Sequence, residues 1–327
     1  MRPIFFGGIL LHRVKAESAG RAFAAFHRQA MKYAAAFLAC GLLAATASPV
    51  LAEDDAAADM SASTSPDKSG YSIFNPTPDS LMRSFAPDRP PKANSATTVD
   101  AGHFQLETDL VNYSFTNYAG LATRTYQALD PVWKLGLTNW VDLELEFEGY
   151  QNATIRDNAT GALVARGFGF GDVLLRTKIN VFGNDGGNAA LAVIPYVKLP
   201  SGTPVISNGA VEGGVIAPLT ISLPQDFSTT FQTEFDALKD ADDSRRHANF
   251  ANLANIGHPV PGIEGLAGVL EIFASVGTDR ATPPIYTLDT ALTYTIGKNT
   301  QLDAGIDFGL NKAAPREQIF AGVSTRF

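Results

Sequence analysis

Strict alternation of apolar and acidic residues between positions 141 and 148 constrains this chain more than any other feature. The odd positions are all apolar, and the even positions are Asp142, Glu144, Glu146 and Glu148. A helix would mix the two sets around its circumference, whereas a β-strand places them on opposite faces. The segment is therefore predicted to be a strand with one apolar face and one charged face.

The same period of two recurs clearly in residues 227–236 and 301–310, and less strictly from 102 to 327. No run of about 20 apolar residues follows the N-terminal region, so strands are the only means of crossing a bilayer there. The pattern predicts about twelve strands, an even number within the range of bacterial barrels. They are 102–115, 123–137, 141–153, 168–182, 188–199, 213–223, 227–238, 245–256, 265–277, 285–296, 300–310 and 317–327.

The connections fit an all-β fold made of one antiparallel outer-membrane barrel. Short turns at 138–140, 224–226 and 297–299 alternate with longer segments at 154–167 and 200–212, which we expect outside the cell. The last strand ends on Phe327, and a terminal aromatic residue resembles the signal that the barrel-assembly machinery reads. A secreted β-sandwich also alternates, but it would need more Pro or charge to protect its edges.

The N-terminal region reads as an export signal. Residues 31–52 contain Lys32, an apolar run at 33–47 and a small-residue cleavage site ending at Ala52. Residues 1–30 are then either an unusually long region before the apolar run of the signal or the product of a start codon placed too far upstream. The alternative is a lipoprotein signal acylated at Cys40, whose preceding residues fit poorly. Residues 53–101 are rich in Pro and Ser and are predicted to be an extended periplasmic arm or small plug, before a barrel at 102–327.

Charge and cysteine content limit the partners. Removing residues 1–52 leaves 25 − 6 = 19 Lys and Arg against 33 − 1 = 32 Asp and Glu, a formal charge of −13. This balance argues against nucleic acid and could favour cations in a barrel lumen. The one cysteine, Cys40, lies in the signal region, so no cysteine-bound metal is expected in the mature protein.

Several stretches resemble the bacterial family named for the meta-pathway of phenol degradation, whose members are often described as transporters. The matching stretches follow the same order through nearly all of the mature chain. They lie at 86–92, 99–109, 171–172, 176–178, 198–202, 301–305, 309–311 and 320–327. The resemblance implies an outer-membrane barrel with a possible link to aromatic compounds, and it implies no catalytic motif.

The inward faces of the predicted strands carry the candidate lumen and selectivity residues. They are Glu107, Asp109, Asp142, Glu144, Glu146, Glu148, Asp172, Arg176, Lys178, Lys198, Glu234, Asp236, Asp303 and Asp307. In one interpretation they line a polar pore whose acidic excess selects cations. In the other they pair into a structural network that conducts nothing.

These observations predict a channel or transporter for passive uptake of small solutes, with aromatic compounds suggested only by the resemblance. A non-conducting structural or adhesive barrel is the alternative. An outer-membrane lipid-modifying enzyme is disfavoured, because His103 and His258 are not placed for a shared site near the outer leaflet. His247 follows a mostly charged run at 242–246, which is more commonly a solvated cluster. No catalytic residue, cofactor or metal site is predicted, and outer-membrane lipid, the assembly machinery and a small solute are the expected partners.

Overall fold

A computed structural model of the chain describes residues 66–241 and 243–327. The predicted signal region, its cleavage after Ala52 and residues 53–65 of the arm lie outside the described residues. Fifteen β segments form one antiparallel sheet, in which the last segment pairs with the first. The segments are β1 (Phe104–Tyr118), β2 (Leu121–Ala128), β3 (Asp130–Thr138), β4 (Val141–Phe147), β5 (Tyr150–Asp157), β6 (Leu163–Phe170), β7 (Val173–Phe182), β8 (Ala189–Leu199), β9 (Glu212–Ser222), β10 (Ser228–Lys239), β11 (Arg246–Pro259), β12 (Leu266–Gly277), β13 (Ile285–Ile296), β14 (Thr300–Gly309) and β15 (Glu317–Arg326).

The fifteen segments make twelve strands, because three strands are each broken in two. The first half of β1 pairs with β3 and its second half with β2, so β2 and β3 lie end to end. In the same way β4 and β5 pair with β3 and β2, and β7 and β6 pair with β4 and β5. The prediction of a closed antiparallel barrel of about twelve strands is therefore confirmed.

The predicted long connection at 154–167 is wrong. Strand β5 continues to Asp157 and β6 begins at Leu163, leaving a connection of residues 158–162. The alternation does not reveal β6, because glycines occupy every second position from Gly167 to Gly171 and suggest a loop as readily as a strand. A two-residue turn also joins β1 to β2, where Ala119 and Gly120 both have positive φ, as tight hairpins require.

The barrel wall has an apolar outer face and a polar inner face. Leu143 and Phe147 on β4 are exposed on the outside, while Asp142 and Glu144 are fully buried on the inside. An exposed apolar band around a closed sheet is the arrangement of outer-membrane barrels, and the protein lies in that membrane. Among the described residues, no helix has the length and apolar character needed to span a bilayer.

Residues 83–101, here called the inner segment, lie inside the barrel. Arg89 contacts Asp303 on β14, whereas Asp88 contacts Lys178 on β7. These strands belong to well-separated parts of the sheet, so one short segment can contact both only from the lumen. We call the barrel end that carries Phe104 the near end, and the opposite end the far end.

Candidate functional site

Asp88 of the inner segment is surrounded by basic side chains of the wall. Its carboxylate accepts hydrogen bonds from Lys134 Nζ at 2.6 Å and Lys178 Nζ at 2.8 Å, and lies 3.3 Å from Arg176 Nη2. Burial alone would raise the pKa of Asp88, but the three positive charges together hold the pKa below its ordinary value. The inner segment thus provides an anion to a cationic part of the wall.

The same basic residues also bind acids of the wall. Arg176 Nε donates to Glu144 at 2.6 Å, and its Nη1 lies 3.2 Å from Glu146. Lys178 Nζ lies 3.2 Å from Glu144. These predicted lumen residues therefore meet in one cluster, and the pairs hold each other's charges in a poorly hydrated interior.

Glu107 joins this cluster to the inner segment. It forms an ion pair with Lys134 and accepts the backbone N–H groups of Asp88 at 3.2 Å and Arg89 at 3.0 Å. These hydrogen bonds fix the path of the chain. A buried carboxylate and a buried N–H group have no water to bind, so each needs the other as its partner.

Arg89 bridges two acids of the wall, one on β1 and one on β14. Its guanidinium lies 2.5 Å from Asp109 and 2.6 Å from Asp303, and its centre lies 5.9 Å from the ring of Phe320. Burial would lower the pKa of Arg89, but the two carboxylates raise it above its ordinary value. Gly322 on β15 leaves the space for this guanidinium, since a Cβ there would collide with it.

Lys92 makes the third set of contacts. Its Nζ lies 2.6 Å from both Asp289 and Asp307, while Glu271 accepts its backbone N–H at 2.8 Å. Burial acts to lower the pKa of Lys92, and the facing carboxylates outweigh it and raise the pKa. At all three of these positions, the charged side chain of the inner segment contacts wall side chains of the opposite charge.

The inner segment is also held at the near end. Asp142 accepts the backbone N–H of Val99 at 2.9 Å. Arg326 Nη1 donates to the carbonyl of Arg83 at 3.0 Å and lies 3.4 Å from Asp100. The terminal strand and the inner segment are thus bonded directly where the segment enters the lumen.

Other predicted residues lie in the lumen or near the far end without contacting the inner segment. Lys198 pairs with Asp172 at 2.9 Å and with Glu212 at 3.0 Å. Asp172 also accepts the N–H of Gly202 at 2.9 Å, and Glu148 accepts that of Asp172 at 2.8 Å. These contacts attach the loop of residues 200–211 to the broken strand made of β6 and β7.

The remaining predicted residues have separate surroundings. Glu234 and Asp236 are buried on the inner face of β10, where Asp236 accepts the Tyr196 hydroxyl and Asn249 Nδ2. Phe327 is exposed, and its backbone N–H donates to the carbonyl of Phe104 at 2.8 Å. The N–H of Phe104 also donates to the carbonyl of Phe327 at 3.3 Å, so Phe327 continues the pairing of the first and last strands by two bonds.

Sequence reasoning missed the functional importance of Arg83, Asp88, Arg89 and Lys92. All four lie in a Pro-rich stretch without the period of two, so nothing local assigned them to the lumen. One feature of the sequence pointed to them. Residues 88–92 are Asp-Arg-Pro-Pro-Lys, three charged residues in a stretch that carries the family resemblance, and the predicted inner faces carry charges of both signs that could pair with them.

Several solved structures are similar to this chain at low sequence identity, and the first of them shares its fold. An outer membrane channel from Pseudomonas putida F1 is 15% identical, with a TM-score of 0.53 over 69% of this chain and 95% of that one. The translocator domain of the autotransporter NalP from Neisseria meningitidis is 14% identical, with a TM-score of 0.42 over 69% and 88%. The NanC porin is 10% identical, with a TM-score of 0.41 over 67% and 98%. No curated protein matches the sequence.

The family match covers both the barrel and most of the inner segment. It runs over residues 87–327, and so begins just before Asp88 and continues through the last strand. The chain belongs to the family described as "Putative MetA-pathway of phenol degradation".

Proposed function

We propose that the protein is an outer-membrane channel for small solutes, and that the inner segment is a plug that must move for solutes to pass. One observation carries the proposal: Asp88, Arg89 and Lys92 bind wall groups on separate parts of the lumen. Each contact is between charged side chains, which can exchange a protein partner for water or for a charged solute. Apolar packing alone would offer no such exchange.

The wall acids would set selectivity once the plug moves. Glu144, Glu146, Asp303 and Asp307 face the lumen, and releasing Arg89 and Lys92 would remove the basic partners of the last two. A ring of carboxylates in a narrow pore favours cations. Aromatic solutes are proposed from the family description alone. We also propose that the chain has no enzymatic role and that the barrel-assembly machinery inserts it.

Conductance in a planar bilayer tests the channel. The purified protein should open rarely, whereas a double variant, Arg89→Ala with Lys92→Ala, should open often because two charged anchors are lost. The matched control removes two exposed basic residues, Arg124 and Lys298, and should behave like the parent. In a salt gradient the open variant should prefer cations, and adding Glu144→Gln and Glu146→Gln should reduce that preference.

The alternative is a structural or adhesive barrel, which the same charge pairs would serve by making the lumen rigid. A folded Arg89→Ala, Lys92→Ala protein that stays silent would favour this alternative. The solute class is tested separately by swelling of liposomes in a neutral aromatic solute and in a neutral sugar of similar mass. Faster swelling with the aromatic compound is the expected result for the open variant.

A further inference from the structure

Three arginines lie together on the outer face of the barrel near its far end. The strand register pairs both Arg124 of β2 and Arg166 of β6 with Thr154 of β5. Arg156 follows Thr154 by two residues, so it lies on the same face of β5. All three arginines are exposed, whereas Ile155 between the two β5 residues is buried on the inner side of the wall. The arginine side chains therefore point away from the lumen and from the inner segment.

The three guanidinium groups have few partners within the protein. Arg124 lies over the ring of Phe115, 5.2 Å from its centre, and Arg156 Nη1 donates to the carbonyl of Gly161 at 2.9 Å. In the described part of the chain, none of the three forms an ion pair with a carboxylate. Glu317 of β15 belongs to the same row of residues, but Phe115 separates it from Arg124. A guanidinium has five N–H donors, so most donors of the cluster are available to a ligand.

Exposed aromatic residues place the arginine cluster at the surface of the membrane. Tyr126 and Phe168 are 55% and 60% exposed on the outer face. Each lies two positions from an arginine of the same strand, on the side of the near end: Tyr126 from Arg124, and Phe168 from Arg166. Aromatic girdles mark the two membrane interfaces of an outer-membrane barrel. The arginines, one step farther toward the far end, therefore lie at the level of the lipid headgroups.

The lengths of the connections assign the far end to the outer leaflet. Long connections such as 200–211, 278–284 and 310–316 lie at the far end, whereas the near end has short turns such as 139–140 and 297–299. Outer-membrane barrels have short turns in the periplasm and longer loops outside the cell. The outer leaflet of this membrane is built of phosphorylated glycolipid, so the headgroups beside the arginine cluster carry phosphate groups.

We propose that Arg124, Arg156 and Arg166 bind the phosphate groups of one outer-leaflet glycolipid. A guanidinium donates two parallel N–H bonds to one phosphate, which makes arginine well suited to such a headgroup. Two strand spacings separate Arg124 from Arg166, about 10 Å between their Cα atoms, so the cluster can contact more than one group of the same lipid. Within the sheet β6 pairs with β5 alone, and a lipid bound across β2, β5 and β6 would hold this edge to the wall.

Lipid binding to the folded, detergent-solubilised protein tests the proposal. The protein is mixed with lipid A that carries two phosphates or with the same lipid freed of both, and bound lipid is measured by native mass spectrometry. We expect one tightly bound phosphorylated lipid per chain. Arg124→Gln with Arg166→Gln should weaken that binding about 10-fold or more, because two charge-assisted contacts are lost. Arg280→Gln with Lys312→Gln is the matched control, because it removes two exposed cations from far-end loops.

Thermal unfolding gives a second readout and shows whether each variant is folded. Phosphorylated lipid A should raise the unfolding temperature of the parent and of the loop control more than that of Arg124→Gln with Arg166→Gln. Equal binding of the phosphorylated and dephosphorylated lipids would overturn the proposal. So would a double arginine variant that binds like the parent, or a loop control that loses binding to the same extent. Neither measurement requires a conducting lumen, so the outcome is independent of the proposed channel.

Discussion

At the scale of single residues, Asp88 explains why a short segment can be held firmly inside a polar barrel. Its carboxylate faces Lys134, Lys178 and Arg176, and it is the one acid of the inner segment that contacts all three of these wall residues. Removing one member of a buried ion cluster leaves the others charged and poorly hydrated, which costs more than the pair contributes. The inner segment and the wall therefore depend on each other for neutrality.

Replacing Asp88 with Asn should destabilise the folded protein by about 3–5 kcal/mol, because three buried cations lose a shared partner. Urea unfolding followed by tryptophan fluorescence measures the change. Asp67→Asn is the control, since Asp67 is an exposed acid before the inner segment whose side chain accepts the N–H of nearby Ser69. An equal and small effect of both substitutions would contradict the role of Asp88.

The pKa of Asp88 gives this contribution a defined pH window. Because the folded pKa lies below the ordinary value, the ionised carboxylate stabilises the fold fully above the unfolded value of about 3.9. The contribution decreases as the pH falls from there through the folded pKa. The difference in stability between the parent and Asp88→Asn should thus be constant from pH 7 to pH 5 and shrink below about pH 4. A difference that already shrinks between pH 7 and pH 5 would contradict this assignment.

Gly322 offers a test of the Arg89 contacts that removes no charge. A Cβ at Gly322 would collide with the guanidinium, so Gly322→Ala should displace Arg89 from Asp109 and Asp303 and increase channel openings. Gly268→Ala is the control, because a Cβ there meets only Leu292, at an ordinary 3.8 Å. Equal opening frequencies in the two variants would show that the Arg89 contacts do not hold the plug.

At the scale of elements, the strands with strict alternation were predictable and the broken ones were not. The alternation in β4, β10 and β14 identified which residues face the lumen, since a strand leaves each side chain only two directions. The break near Gly149 depends on a close approach to the carbonyls of Ala128 and Leu129, and the one near Gly171 on a close approach to the Glu148 side chain. The only sign of such an approach in the sequence is a glycine. Glycine is equally common in loops, so it does not distinguish a broken strand from a connection.

The loop of residues 200–211 covers part of the broken strand through Gly169. The Thr203 N–H donates to the carbonyl of Phe170, and the Thr203 hydroxyl oxygen accepts the N–H of Phe170. A Cβ on Gly169 would collide with the Thr203 side chain. Gly169→Ala should therefore release this loop and speed its cleavage by added protease. Gly268→Ala should leave the cleavage rate unchanged, and no acceleration in Gly169→Ala would mean that the loop is held elsewhere.

At the scale of the whole molecule, the barrel was predictable from the sequence and the content of its lumen was not. Closure follows from an even number of alternating strands with an apolar outer face. Arg89 and Lys92 each have a partner more than 200 residues away in the chain, because Asp303 follows Arg89 by 214 residues and Asp307 follows Lys92 by 215. Local periodicity cannot report such pairs, so the alternation indicates which side chains point inward but not which groups they pair with.

The central claim is that the inner segment closes the lumen, and a reversible cross-link tests it most directly. Ala96 packs against Ala192 on β8, and Cys40 of the predicted signal region is the one cysteine in the sequence. Ala96→Cys and Ala192→Cys are placed in the Arg89→Ala, Lys92→Ala background, and each single cysteine serves as a control. Bilayer conductance is then measured before and after reduction.

We expect no conductance from the oxidised, cross-linked protein and frequent openings once the disulfide is reduced. The single-cysteine controls should conduct under both conditions. Equal conductance of the oxidised and reduced double-cysteine protein, with the cross-link verified by mass spectrometry, would contradict the claim that the inner segment is the plug.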